Sequence, residues 1–317
     1  MKKIIIFVLS TILVTALAAG LIIILRQARS GAQAERKWQS THVEVLKDFG
    51  YTSRLEILPL YDEAGDQSIY QIGHGLSYLI KTDSATILMD VGNNPTEADI
   101  SPLSLNMKAL NVSWDQIDAV IFSHFHPDHV GGVEAWKAGK VSLGIEDVDF
   151  EGKPVYAPSN FDFPGATPIL LPNPSVLSPG VATIGTIEYG ETYPVSLYKS
   201  SGAEQVLAIN VEGQGIVLIV GCGHPTIERI IARAEALFEQ PVVGIVGGLH
   251  YEGATSEEVQ PHIKFLLDRQ PTLIALSPHD SSLEALEAFE SAFTDRYHTL
   301  QVGESIQFLD EGEGNNE

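Results

Sequence analysis

Basic residues and cysteine are what this chain has least of. Its 317 residues include 19 lysines and arginines against 41 acidic residues, for a formal net charge of −22. Six of the basic residues and one acid fall in residues 1–37, which leaves 13 basic against 40 acidic residues over the remainder. So acidic a body repels nucleic acid and anionic membrane surfaces. No basic motif marks a nucleic-acid groove, so a small molecule is the expected partner. An anionic substrate would need a local positive centre, which a metal ion can supply. The single cysteine, Cys222, excludes an intramolecular disulfide and a cysteine-rich zinc module.

Long apolar runs are also scarce, with one exception. Ile4 to Leu25 carries no charge over 22 residues and is flanked by Lys2, Lys3, Arg26 and Arg29. That length spans a bilayer as a helix. A cleaved signal segment is the competing reading, with "ALAA" at Ala16 to Ala19 as its peptidase site. An uncleaved anchor that leaves the body outside the cytoplasm is the expectation. Hydrophobic residues make up 44% of the chain, enough for a sizeable core. The expected organisation is an anchor or signal segment over 1–29, a linker and lead-in over 30–54, one domain over 55–309 and an acidic disordered tail over 310–317.

The body reads as alternating strands and helices, an α/β (α+β) pattern. "SYLIKTDSATILMDVG" (Ser77 to Gly92) predicts two strands around a turn at Thr82 to Ala85, closing on Asp90. "VLAINVEGQGIVLIVGCGH" (Val206 to His224) has the same plan, which suggests two related halves. Three further strands end on histidine: "IDAVIFSH" on His124, "PVVGIVGGLH" on His250 and "PTLIALSPHD" on His279. Helical patterns follow, with Pro225 suited to a first turn and Ser281 or Ser282 to a cap. The stretch from Pro154 to Pro179 has seven prolines and little periodicity, and is expected to be a long ordered loop.

Ligands collect at the carboxyl ends of strands in α/β sheets. Asp90, the cluster "HFHPDH" from His124 to His129, His224, His250 and His279 all stand at such ends. A single histidine there is usually a hydrogen-bonded packing residue. Five independent ends aimed at one rim are not explained that way. His124 and His126 lie two apart on extended chain, so both rings point to one side. Asp128 and His129 follow Pro127 and can face a second position close by. Imidazole and carboxylate suit zinc, iron or manganese. Two ions held together can share a water, lower its pKa and set the resulting hydroxide against a phosphorus or carbonyl centre. His42, His262 and His298 lie outside these motifs and read as surface or packing residues.

"HFHPDH", with the strand before it and "GG" after it, resembles the HxHxDH signature of the metallo-β-lactamase superfamily. "HGLSYLI" at His74, "VGCGHPTIERI" at His224, "VGGLHYEG" at His250 and "SPHDSS" at His279 are similar to its dihydropterin-synthase-like branch. That branch is named for 7,8-dihydropterin-6-methyl-4-(β-D-ribofuranosyl)-aminobenzene-5'-phosphate synthase. Asp280 stands where the branch usually shows cysteine, and Pro225 follows His224 directly. The resemblance implies a four-layer αββα sandwich and two divalent metal ions, with zinc expected and manganese or iron as alternatives. It places His124, His126 and His224 on the first ion, and Asp128, His129 and His279 on the second. Cys222 stands where the superfamily often has a bridging aspartate; a bridging thiolate and a small buried structural residue are both open readings. Asp90 resembles the superfamily's strand-end aspartate, which orients a metal-bound histidine or water. Asp128 is also a catalytic candidate, His250 a substrate contact or proton donor to the leaving group, and His74 a substrate contact.

The implied activity is metal-dependent hydrolysis of a small-molecule ester or phosphodiester by a metal-activated hydroxide. Two alternatives stand beside it. One is an iron-dependent dioxygenase or other redox enzyme of the same fold; the other is a membrane-tethered ligand-binding sensor.

Overall fold

The computed structural model describes residues 2–144, 150–192, 195 and 202–309. The chain divides into two compact units, residues 1–42 with 187–203, and residues 43–186 with 204–317. The expected acidic tail over 310–317 lies outside the described residues.

In the first unit, helix α1 runs Lys2–Ser40. It therefore continues past the apolar run into the stretch expected to be a linker. It is long and apolar enough to cross a membrane, and large side chains such as Ile4, Phe7, Leu13 and Leu21 are exposed on it. The Ser30 hydroxyl, at 3.1 Å, accepts from the Glu191 amide.

The second unit holds the predicted strand ends. Its first sheet takes in β1 (Arg54–Tyr61), β2 (Ser77–Lys81), β3 (Thr86–Met89), β4 (Ala119–Ile121), β5 (Val155–Ala157) and β6 (Ile169–Leu170). They lie in that order, and β14 (Ile306–Leu309) pairs outside β1. The second sheet has the order β13-β12-β11-β10-β9-β8-β7. Its strands are β7 (Ser175–Ser178), β8 (Val181–Tyr189), β9 (Gly202–Val211), β10 (Gly215–Val220), β11 (Val242–Gly247), β12 (Leu273–Leu276) and β13 (Tyr297–Thr299). Both hairpins expected from the sequence are present, β2 with β3 and β9 with β10. The Pro154 to Pro179 stretch is not the loop its composition suggests. It contributes β5, β6 and β7, because its prolines sit outside these short strands and spare their pairing amides.

One core joins the two sheets. Leu55, Ile57, Tyr78, Ile80, Met89 and Ile121 of the first meet Leu207, Ile209, Val217, Ile219, Val246 and Ala275 of the second. The strands β10 to β12 are near-continuous apolar runs, as parallel strands covered on both faces require. The helix α2 (Ile227–Leu237) follows Pro225, which stands before its first turn rather than in it. Helix α3 (Ser256–Leu267) is capped by Thr255 and α4 (Leu283–Phe293) by Ser282, whose hydroxyl accepts from the Ala285 amide.

Direction and register decide where the strands end. β3 and β4 run parallel with Met89 beside Ile121. β10, β11 and β12 run parallel with Val220, Gly247 and Leu276 in line. Parallel strands in register finish at one edge, so Asp90, Ser123, Cys222 and Ser277, each a residue or two further on, reach that edge without long loops. β1 is antiparallel to β2, which is antiparallel to β3, so β1 runs with β3 and also ends there, on Asp62.

The turn after "HFHPDH" depends on Gly131. Its φ is +91°, its amide donates to the Gly92 carbonyl at 2.9 Å, and an added Cβ would collide with the Ser142 carbonyl oxygen. Gly131→Ala is expected to destabilise the protein by about 2–4 kcal/mol through clash and backbone strain. Gly139→Ala has φ +70° but open space around the new methyl, and about 1 kcal/mol is expected there. Comparison of the two thermal unfolding midpoints checks this.

Candidate metal centre

At the shared edge the side chains converge. The donor atoms of Asp128, His129, Cys222 and His279 all lie within 4.8 Å of one another, and so do those of His124, Cys222 and His224. Cys222 is common to both groups. Its Sγ is 3.1 Å from His129 Nε2 and 3.3 Å from His279 Nε2. On the other side His124 Nε2 and His224 Nε2 stand 3.2 Å apart. Asp128 Oδ2 is 3.4 Å from His129 Nε2 and 4.0 Å from His279 Nε2. His126 lies against this cluster, its ring 4.7 Å from that of His124 and 4.6 Å from that of His224.

The far nitrogens of His129 and His124 are held. His129 Nδ1 is 2.7 Å from Asp90 Oδ2. The Ser123 hydroxyl donates to Asp90 Oδ2 at 2.6 Å, and the Ser123 Oγ is 2.9 Å from His124 Nδ1. The Ser123 amide donates to Asp90 Oδ1 at 2.8 Å. A carboxylate only accepts, so the hydroxyl proton goes to Asp90 and the Ser123 oxygen accepts from His124 Nδ1. His124 is thereby left with a lone pair on Nε2. Asp90 itself has φ +56°, a left-handed conformation outside the strand region, which turns its carboxylate back under the imidazoles.

Electrostatics follow from burial. His124, His224 and His279 are held well below the ordinary histidine range, first by burial and then by neighbouring histidines. They are neutral, the form that binds metals. His129 goes the other way: burial disfavours its charge, yet the carboxylates of Asp128 and Asp90 beside it hold it well above the usual value. Burial acts against the Asp128 charge too, but His129 beside it keeps that carboxyl low. Burial pushes the Cys222 thiol up.

The other candidates stand around the rim. His250 has φ +56°, its amide donates to Asp280 Oδ2 at 2.9 Å, and its ring is 4.3 Å from that of His224. His74, half exposed, has Nε2 3.5 Å from Asp128 Oδ2 and Nδ1 3.1 Å from Glu63 Oε1. Every residue singled out from the sequence therefore lies in or against one cluster. His262 is elsewhere, paired with Glu228 at 2.7 Å, and His298 is an exposed residue of β13.

Sequence reasoning missed the residues behind the cluster. Glu204 is buried in β9 and accepts three backbone amides, from Cys222 at 3.1 Å, Gly223 at 2.8 Å and His224 at 2.9 Å. Burial pushes it up to about 7, opposed by those amides. Ser123, Ser277, Asp62 and Glu63 were also passed over. Asp62 closes an apolar strand as Asp90 does, and the serines precede the motif histidines, so those signals were present. A glutamate inside "SGAEQVLAINV" carries no such sign.

Residues 71–178 match the family model of the metallo-β-lactamase superfamily. A curated protein of Methanocaldococcus jannaschii, named 7,8-dihydropterin-6-methyl-4-(β-D-ribofuranosyl)-aminobenzene-5'-phosphate synthase, is 28% identical over 301 residues, 83% of this chain and 100% of that protein. The likeness is to the metallo-β-lactamase superfamily and its dihydropterin-synthase-like branch. Solved structures agree on the fold. One described as a metal-dependent hydrolase of the β-lactamase superfamily is 19% identical and covers 81% of this chain and 100% of its own, with a TM-score of 0.58. The metallo-β-lactamase fold protein YhfI from Bacillus subtilis, at 11% identity and the same coverages, gives 0.51. This chain thus has the mixed α/β, two-sheet build of an enzyme superfamily, and a buried group of histidine, aspartate and cysteine able to hold metal.

Glu204→Ala orphans three buried amides in the turn that carries Cys222 and His224. A stability loss of about 2–5 kcal/mol is expected, with Glu204→Gln in between because it keeps one acceptor. Chemical denaturation of the three proteins measures it.

Proposed function

We propose that this protein is a metal-dependent hydrolase with a binuclear centre, in which Cys222 contributes its sulfur to both halves. The observation that carries the reading is the pair of donor groups sharing that one sulfur. The donor set fits divalent ions on its chemistry. His124, His224 and His279 are neutral, and the Nδ1 sides of His129, His124 and His279 are held by Asp90, Ser123 and Ser277 in that order. His124, Cys222 and His224, with His126 beside them, would hold one ion; Asp128, His129, Cys222 and His279 would hold the other. Imidazole and thiolate suit zinc or iron, and the carboxylate admits manganese. Bound there, such ions supply Lewis acidity and lower the pKa of a water.

The chain's own residues do the rest. Asp128, 3.5 Å from His74 and 3.4 Å from His129, would accept a hydrogen bond from an attacking water and orient it. His250, beside His224, is placed to protonate the leaving group. Asp90 orients His129 directly and His124 through Ser123. His74, steered by Glu63, faces the opening as a substrate contact. We read the two sheets as the inner layers of an αββα sandwich over 55–309. We take α1 as the membrane anchor of an extracytoplasmic body, and a small-molecule ester or phosphodiester as the substrate. A second reading draws on the curated relative, which is named a synthase: the same centre would pass its electrophile to an acceptor other than water.

Two measurements check this. The first is product analysis of the zinc- or manganese-loaded protein, in ¹⁸O-water, against a panel of phosphodiesters and carboxyl esters. Hydrolysis places the heavy oxygen in one product; turnover that needs an added acceptor and leaves products unlabelled supports the synthase. The second is proton release. Burial holds the metal-free Cys222 thiol above its usual range, so it keeps its proton at neutral pH and must give it up to become a ligand. Affinity is therefore expected to rise with pH, by up to about 10-fold per unit for that proton. Titration calorimetry in buffers of different ionisation enthalpy would count the protons released.

A further inference from the structure

A second buried carboxylate besides Asp90 stands behind the centre, and it comes from a different strand. Asp62 follows β1, is fully buried, and has no place in the reaction proposed above. Its Oδ2 accepts the Ser277 hydroxyl at 2.7 Å and the Tyr78 hydroxyl at 3.3 Å; its Oδ1 accepts the Glu63 amide at 2.8 Å. Burial pushes this carboxyl up to about 7, opposed by the hydrogen bonds from Ser277, the Glu63 amide and Tyr78, which favour its charged form. Once ionised, it can only accept from all three. The Ser277 oxygen lies 2.5 Å from His279 Nδ1. Ser277 is also the cap of the short turn Pro278–Asp280 that carries His279.

We propose that Asp62 and Ser277 are positioning residues that fix the tautomer and aim of His279 for metal binding. The hydroxyl has one proton, and Asp62 takes it. The Ser277 oxygen must then accept from His279 Nδ1. The ring is left protonated on Nδ1, with its Nε2 lone pair directed at the space shared with Cys222 Sγ, 3.3 Å away, and Asp128 Oδ2, 4.0 Å away. The chain Asp62–Ser277–His279 repeats the logic of Asp90–Ser123–His124. The Asp90 chain is built within the first sheet. The Asp62 chain joins the end of β1 in the first sheet to the end of β12 in the second, so it also ties the two sheets together where the ions would sit. A hydrogen-bonded partner on the far nitrogen of a ligand histidine is typically worth about 10–100-fold in metal affinity.

The inference rests on the metal-centre reading, and two experiments separate their failures. The first needs no metal. Long-range ¹H–¹⁵N NMR of the metal-free full chain, at a pH above the Asp62 value of about 7, is expected to show His279 as the Nδ1-protonated tautomer. In Ser277→Ala it is expected to shift toward the Nε2-protonated form. An Nε2-protonated wild type, or no change in Ser277→Ala, overturns the proposal whatever the protein binds. The second is zinc stoichiometry and chelator competition for the wild type, Ser277→Ala, Asp62→Asn and the double variant. One of about two zinc ions should weaken by about 10–100-fold in Ser277→Ala, and the double variant should be no weaker than that. A merely structural role would lower the melting temperature of the metal-free protein and leave both affinities unchanged, which overturns the proposal. A wild type with the expected tautomer that binds no zinc sinks the metal reading, and with it the purpose assigned to the relay. Ser277→Ala removes one buried oxygen, so it keeps the test valid if Asp62→Asn fails to fold.

Discussion

A buried imidazole has to satisfy both of its ring nitrogens, and that requirement organises this structure. Where one nitrogen is kept for a metal ion, the other must find its partner inside the protein, because no bulk water reaches it. His129 finds Asp90, His124 finds Ser123 and through it Asp90, and His279 finds Ser277. The carboxylates in turn are held by backbone amides and hydroxyls. The cluster of possible ligands is therefore one end of a larger, largely buried polar network. Each member of that network has a defined donor or acceptor role.

The fold makes this network affordable by placing its parts cheaply. Parallel strands in register end together, so a residue just beyond each strand arrives at the edge with little free chain to order. Two sheets packed through one core bring two such edges face to face. The first sheet offers Asp62, Asp90 and the His124–His129 segment. The second offers Cys222, His224, His250 and His279. Glu204 then clamps the turn from Cys222 to His224 from beneath. None of these side chains needs a long loop, and the non-glycine left-handed residues Asp90 and His250 supply the sharp departures from their strands.

How much of this could be read in advance depended on whether position along the chain fixes position in space. The strand-end rule worked because apolar runs stop abruptly at Asp90, His124, Cys222 and His279, and a strand's end is a local property. The same rule applied to "RLEILPLYD" would have reached Asp62. Glu204 was illegible because its partners are backbone amides 18 to 20 residues away. Cys222 was left open between two roles, since only the distance to imidazoles on two sheets separates a shared sulfur from a packing residue. The proline-rich stretch misled because proline counts describe composition, whereas β5, β6 and β7 fit between the prolines.

The central claim is that one sulfur serves both halves of the centre. X-ray absorption at the metal edge of the fully loaded protein tests it most directly. The account expects about one sulfur scatterer per metal ion, at about 2.3 Å if the ion is zinc, and a short metal–metal vector, both lost in Cys222→Ala. A shell of nitrogen and oxygen alone around both ions would contradict it and return Cys222 to a packing role.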